Sequence, residues 1–322
     1  MDALVTGGAG FIGSHLVEAL ISKGYKVLVL DNLKEGRLEN LRSCLSKGSL
    51  EFVKADLLDE RKVLEAVKGK EVVWHLAANP EVRSSAVDPR AHFRENIQST
   101  FNLLEALRKG GCVKKFGFTS TSTVYGEASQ VPTAEWYAPL DPISMYGASK
   151  LACEALISAF SHTYGFDAVH FRLANIVGPR SRHGVIYDFI NKLKQNPYEL
   201  EVLGDGAQKK SYLYVKDCVE AMLLGLERSS RGVSFFNVGS EDQIDVGVIA
   251  KIVIGKLGLK DVVVKFTGGF DGGRGWVGDV KVMLLDIGKL KSLGWKPTLN
   301  SYQAVERATE ELIVELSDRS HY

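Results

Sequence analysis

The sequence predicts an α/β protein: a doubly wound parallel sheet, followed by a smaller α/β domain toward the C-terminus. Three observations lead there. Short β-branched runs alternate with helical patterns through the first half of the chain, which is the rhythm of βαβ units. The glycine-rich turn Thr6-Gly7-Gly8-Ala9-Gly10-Phe11-Ile12-Gly13 follows the first of these runs. After Gly178 the alternation becomes less regular, as it does where a second domain takes over.

Taken in order, residues 3–6 read as the first strand. Residues 10–23 read as a helix with Phe11, Ile12, His15, Leu16, Ala19 and Leu20 on one side. Strands follow at 27–30, 50–54 and 72–76, with a helix through 63–68 and a long one around 93–109. The fifth strand is expected at 115–120 and the sixth at 168–173, separated by a helix over 146–163. Between Gly126 and Met145, interrupted by Pro132, Pro139 and Pro142, there is little periodicity, the mark of a functional loop. Beyond Gly178, helices are expected at 185–194, 213–226 (after a short strand), 245–257 and 301–316. A strand is expected at 234–238, with a glycine-rich stretch at 268–278. These boundaries suggest a nucleotide-binding domain over 1–177 and a substrate domain over 178–322, with the 234–238 strand free to return to the main sheet.

Composition narrows the function classes. Among 322 residues, 40 basic and 39 acidic side chains leave a formal charge of +1 without runs of one sign. Nucleic acid and anionic membranes are therefore not expected as main partners. The four cysteines, Cys44, Cys112, Cys153 and Cys218, form no C-x-x-C pair and suit a reducing, cytoplasmic compartment. They offer no zinc spacing, and no metal is expected. A strand starting almost at Met1 leaves no room for a cleavable signal peptide, and no apolar run approaches membrane-spanning length.

Chemistry concentrates at strand ends. Gly7, Gly10 and Gly13 form G-x-x-G-x-x-G between strand and helix, where glycine permits a tight turn and close approach to a pyrophosphate at the helix N-terminus. Asp31 lies 18 residues after Gly13 and is followed by Asn32 rather than Arg. A carboxylate there accepts from ribose hydroxyls and repels a 2′-phosphate, which favours NAD over NADP. Asp56-Leu57 follows the third strand and either reaches the adenine edge or caps the next helix. His75-Leu76-Ala77-Ala78 ends the fourth strand in small residues, suited to a passing cofactor, with His75 itself read as packed. The run Thr119-Ser120-Thr121-Ser122-Thr123 ends the fifth strand, at the sheet edge where open α/β folds bind ligands. Tyr146 and Lys150 share a helical face at i, i+4, and a nearby ammonium favours the phenolate of a tyrosine base.

These residues resemble the extended short-chain dehydrogenase/reductase family. The resemblance runs over essentially the whole chain, through Thr-Gly-Gly-Ala-Gly-Phe-Ile-Gly, Asp31-Asn32, His75-Leu76-Ala77-Ala78, Ser122-Thr123-Val124-Tyr125-Gly126, Tyr146-x-x-x-Lys150 and Arg172-x-x-Asn175-x-x-Gly178-Pro179. It implies a Rossmann-type sheet, bound NAD, a homodimer and, most closely, the activity of nucleotide-sugar 4-epimerases of the UDP-glucose/UDP-galactose type. It assigns catalysis to Thr121, Tyr146 and Lys150, with Thr121 selected by standing 25 residues before Tyr146. It places Gly7, Gly10, Phe11, Ile12, Gly13, Asp31, Asn32, Asp56, Leu57, Leu76, Ala77, Ala78, Asn96, Thr119, Tyr146 and Lys150 around NAD. A UDP-sugar would meet Thr121, Asn175, Val185, Ile186, Lys210, Arg274 and Asp279.

The implied reaction passes a hydride from the sugar C4 to NAD and returns it on the opposite face while Tyr146 moves the 4-hydroxyl proton. The related 4,6-dehydratases carry Thr-Asp-Glu where this chain has Thr121-Ser122-Thr123, so the acid/base pair for eliminating water is missing. Lys210 stands where relatives clamp the diphosphate with Arg, and Pro80 where some place a cofactor Lys. The family's late Arg…Asp pair corresponds to Arg274 and Asp279, with altered spacing. Alternatives on the same scaffold are a uronate epimerase, a decarboxylase and a keto-sugar reductase; outside catalysis, the alternative is an NAD-binding sensor.

Overall fold

A computed structural model describes residues 1–45, 48–83 and 87–318. Six strands appear in the first half: β1 (Asp2–Thr6), β2 (Lys26–Asp31), β3 (Leu50–Lys54), β4 (Val72–His75), β5 (Lys115–Thr121) and β6 (Asp167–Leu173). With the strand Val233–Val238 they form a seven-stranded sheet in the order Val233–Val238, β6, β5, β4, β1, β2, β3. The pairs β1–β2, β1–β4, β2–β3 and β4–β5 are parallel. The order reverses between β1 and β4, which is the switch point of a Rossmann-type doubly wound sheet. In such sheets the carboxyl ends of the strands beside that point are where ligands bind.

Burial follows the binary pattern. β1, β2 and β4 are nearly continuous apolar runs, as sheets covered on both faces require. Leu4, Leu30, Val73, Phe116 and Phe118 join Leu103, Leu104 and Ile157 from covering helices in one buried cluster. Gly117 is forced by packing: a Cβ there would stand 2.5 Å from the Trp74 ring. That ring stacks on Phe171 at 6.0 Å. A glycine in the interior of a strand thus marks close approach rather than weakness.

The boundary at residue 177 is not where the chain divides. One compact unit gathers 1–124, 145–172 and 219–236; the other gathers 125–144, 173–218 and 237–322. Segments are exchanged between the units because the loop after β5 packs with the C-terminal residues: Thr133 bridges Leu285. Tyr125 and Thr133 are further tied to Asn237, whose side chain receives Tyr125 Oη–H at 2.7 Å and donates to the Thr133 carbonyl at 2.8 Å.

Several elements differ from the sequence expectation. The helix around 93–109 is three segments: an α turn at Pro89–His92, a π segment at Phe93–Gln98 and an α-helix at Ser99–Gly110. The expected helix at 213–226 begins later, because Tyr212–Tyr214 is a strand paired with Asn175–Val177 and the helix spans Val215–Arg228. The second unit also contains short strands that the pattern did not show. Glu199–Val202 pairs with Val263–Phe266, and Lys209–Lys210 lies between Ile244–Asp245 and Val282–Met283. Strands of two to four residues are too short for a period of two to register.

Candidate functional site

The glycine turn is shaped for close approach. Gly7 has φ +70°, and a Cβ on it would meet the Ala77 backbone nitrogen at 2.6 Å. A Cβ on Gly13 would stand 2.1 Å from the Gly7 carbonyl oxygen. Gly10 caps the helix Phe11–Ser22 in extended conformation without a side-chain capping bond. The first turn therefore presents unshielded N–H groups to a phosphate. Gly8, which the motif spacing did not single out, is equally constrained, with a Cβ there 2.8 Å from Val29.

Asp31 ends β2 and binds the turn from below. Its carboxylate accepts from Ala9 N–H at 3.0 Å and Leu33 N–H at 2.8 Å. Burial raises its pKa, and these two bonds oppose the rise. Each oxygen keeps a lone pair for a ribose hydroxyl. Asp56 does not cap the following helix. Asp59 does, accepting from Lys62 N–H at 3.2 Å, while Asp56 accepts from Asn32 Nδ2 at 2.8 Å and Leu58 N–H at 2.9 Å. Leu57 is buried, and its carbonyl accepts from Asn102. A glycine cradle that any Cβ would fill, flanked by a buried carboxylate, fits the pyrophosphate and ribose of a dinucleotide.

The end of β4 is held against this turn. Ala77 N–H donates to the Thr6 hydroxyl at 3.4 Å. His75 hydrogen-bonds Thr6 and Thr100 through both ring nitrogens, at 2.7 and 2.9 Å, and desolvation lowers its pKa to about 3. It is a packed neutral histidine. Asn96 lies in the π segment, where its amide accepts from Asn79 N–H at 2.7 Å and donates to Ser149 Oγ at 2.8 Å. Its amide thus anchors the stretch after Ala78 to the helix that carries Tyr146.

Tyr146, Lys150 and Thr121 come together in the first unit. The helix Met145–Tyr164 presents Tyr146 and Lys150 one turn apart. The Tyr146 hydroxyl is hydrogen-bonded with Thr121, whose own oxygen also receives Thr123 N–H at 3.2 Å. His92 packs edge-on against the Tyr146 ring at 6.0 Å. Lys150 Nζ donates to the Thr119 carbonyl at 2.8 Å and lies 4.8 Å from the Phe118 ring centre. The expectation that the ammonium lowers the phenol is not met in this packing. Burial pushes Tyr146 up to about 12, partly offset by Thr121, and lowers Lys150 to about 8. Desolvation is the largest cause of both shifts, and Lys150 is not among the groups that act on the Tyr146 phenol.

The second unit gathers the expected nucleotide contacts differently from their sequence pairing. Asp279 pairs with Lys210 at 2.5 Å, not directly with Arg274, and also accepts from Gly275 N–H at 3.1 Å. Lys210 additionally lies 5.4 Å from the Trp276 ring centre. Arg274 bonds Glu127 at 3.0 Å and Asp271 at 3.0 Å. Glu127, in the aperiodic loop, carried no sequence signal. Asn175 donates to the Ser211 carbonyl at 3.3 Å. Ile186 is buried, so it offers a ligand its backbone alone, in the first turn of Val185–Gln195.

The chain as a whole has counterparts among known proteins. The family model described as NAD dependent epimerase/dehydratase matches residues 3–239. The chain belongs to that family. A putative UDP-glucose 4-epimerase of Methanocaldococcus jannaschii is 35% identical over 310 residues, covering 94% of this chain and 96% of the relative. A crystal structure of a UDP-galactose 4-epimerase superposes with a TM-score of 0.87 at 45% identity, covering 98% of this chain and all of that one (100%). The UDP-glucose 4-epimerase of Thermus thermophilus, solved as a complex with NAD, has a TM-score of 0.83 at 34% identity, covering 97% and 98%. Among the described residues no helix of this family member is long and apolar enough to cross a membrane. None of their His, Cys, Asp or Glu side chains cluster as a metal site would require.

Proposed function

We propose that this chain is a UDP-hexose 4-epimerase that interconverts UDP-galactose and UDP-glucose with NAD held in the glycine cradle. The carrying observation is the Thr121–Tyr146 hydrogen bond with Lys150 one turn on, in the compact unit that also holds the cradle. Bound NAD supplies a reversible two-electron acceptor for the sugar's C4. Tyr146, ionised once the positive nicotinamide of bound NAD offsets its burial, would take the proton of the 4-hydroxyl and return it after inversion, and Thr121 Oγ1 shares the hydrogen bond to that oxygen. Lys150, fixed on the Thr119 carbonyl, places a positive charge near the base. Gly7, Gly10, Phe11, Ile12 and Gly13 receive the pyrophosphate; Asp31 and Asn32 the adenosine ribose; Asp56 and Leu57 the adenine edge. Leu76, Ala77, Ala78, Asn96 and Thr119 line the remainder.

Lys210, Arg274, Asp279 and Asn175, with the Val185–Ile186 backbone, hold the UDP. Lys210 retains two N–H donors beyond its bond to Asp279. The hydroxyls of Ser122 and Thr123 support epimerisation over dehydration, since water elimination needs carboxyls there. Exposed aromatic residues at Phe93, Phe101 and Tyr164, 56%, 43% and 51% accessible, support a homodimer. Four cysteines that form no disulfide support a cytoplasmic setting.

The test is to incubate purified protein with UDP-galactose, adding no cofactor, and to follow UDP-glucose by chromatography. Conversion is expected, and Tyr146→Phe should lower it by roughly 10²–10⁴-fold. Absence of conversion both with and without added NAD would refute the assignment.

A further inference from the structure

The connections that leave β2 and β4 are joined by an ion pair that the chemistry above does not use. Lys34 Nζ donates to Glu95 Oε1 at 2.6 Å, with the two side chains 54% and 31% accessible. Lys34 follows Asp31, the last residue of β2, and Glu95 lies in the π segment Phe93–Gln98 between β4 and β5. In the sheet β1 stands between β4 and β2. A contact between those two connections therefore crosses the carboxyl end of β1, where the glycine turn begins. Both sides of the crossing are held by other bonds. Lys34 N–H donates to Asn32 Oδ1 at 2.9 Å, and Arg37 N–H to the Ala9 carbonyl at 2.9 Å. A Cβ on Gly36 would stand 2.9 Å from either Asp31 oxygen, so this loop lies directly against that carboxylate. Opposite, Asn96 follows Glu95 and holds Asn79 N–H and Ser149 Oγ. The fold does not depend on the pair, since exposed ion pairs contribute little to stability.

We propose that Lys34 and Glu95 form a latch across bound NAD, which slows release of the cofactor and opens for its exchange. The inference rests on NAD occupying the glycine cradle, and not on which sugar is turned over. Glycine admits a pyrophosphate closely but has no side chain to fold over it, so closure has to come from neighbouring connections. A reaction that removes a hydride and returns it needs its cofactor to stay through both transfers. A latch outside the reacting centre serves that need without touching the sugar. Because both side chains reach water, salt screens their attraction, and retention of the cofactor depends on ionic strength.

The experiment follows exchange of bound NAD for isotopically labelled NAD in the holoenzyme, without any sugar. It compares the wild type with Lys34→Gln, Glu95→Gln and the reversed pair Lys34→Glu with Glu95→Lys. At low salt each glutamine variant should exchange roughly 2–5-fold faster than the wild type, and the reversed pair should return close to the wild-type rate. Raising the salt concentration should close the gap between wild type and variants. Thermal midpoints of the cofactor-free proteins should agree across the set, which separates a latch from a merely structural contact. Equal exchange rates at low salt overturn the proposal, as does faster exchange that the reversed pair fails to restore. Acceleration by Lys34→Gln alone also overturns it, and assigns the ammonium to the cofactor's own phosphates. If no NAD binds, the cradle reading fails and the latch with it; if NAD binds and exchanges equally, the latch alone fails.

Discussion

Burial disfavours the charged form of both Tyr146 and Lys150. Burial pushes the phenol up to about 12 and the ammonium down to about 8. Lys150 therefore bears on stability as well as catalysis. Below pH 8 folded and unfolded chains both bind its proton, and the folded state bears the full cost of burying the charge. Between pH 8 and the unperturbed value near ~10.4, the unfolded chain binds more protons than the folded one, so this contribution to stability rises with pH. Lys150→Met removes it. The stability gap between Lys150→Met and wild type should be largest below pH 8 and shrink toward pH 10, as measured by thermal melts across that range. A gap that does not change with pH would show that Lys150 is not desolvated. The spacing of Tyr146 and Lys150 was legible in the sequence as one helical face. Their desolvation was not, because it depends on residues of other elements such as Phe118, whose ring centre lies 4.8 Å from Lys150 Nζ.

The elements that carry the site are pinned by interactions of very different legibility. The turn between β1 and the first helix was readable because its glycines have a steric cause, down to the 2.1 Å approach at Gly13. The bond between β6 and the Tyr146 helix was not. Arg172 meets Glu154 in a two-pronged pair at 3.0 and 2.7 Å, both side chains buried, with Arg172 also 4.8 Å from the Phe235 ring centre. Nothing in a single charged residue on a helix announces a buried partner eighteen positions away. Removing one member leaves an uncompensated buried charge, at a cost of about 3–5 kcal/mol, whereas replacing both with apolar groups costs far less. Glu154→Leu should therefore lower the urea midpoint more than Glu154→Leu combined with Arg172→Met. Equal losses would mean the pair is not what joins these elements. The π segment at Phe93–Gln98 was likewise hidden, since its residues keep an ordinary helical pattern.

For the whole molecule, the sheet and its ligand edge could be read because long buried strands and a glycine turn leave strong local patterns. The exchange of segments between the two units could not, because it is set by contacts such as those of Asn237 with Thr133 and Tyr125. The aromatic strip of Phe101, Phe160 and Tyr164, with successive ring centres 6.1 and 5.2 Å apart, predicts a dimer with twice the chain mass by light scattering. Phe101→Glu should shift it to monomer, and a wild type that is monomeric at micromolar concentration would reject that assembly. Epimerisation through bound NAD requires that the hydrogen removed from the sugar C4 be the one put back. UDP-galactose carrying deuterium at C4, incubated with the protein in ordinary water, decides it by mass spectrometry and NMR of the product. Internal return of the hydride predicts UDP-glucose that keeps its deuterium at C4; product with that deuterium replaced by solvent hydrogen would contradict it.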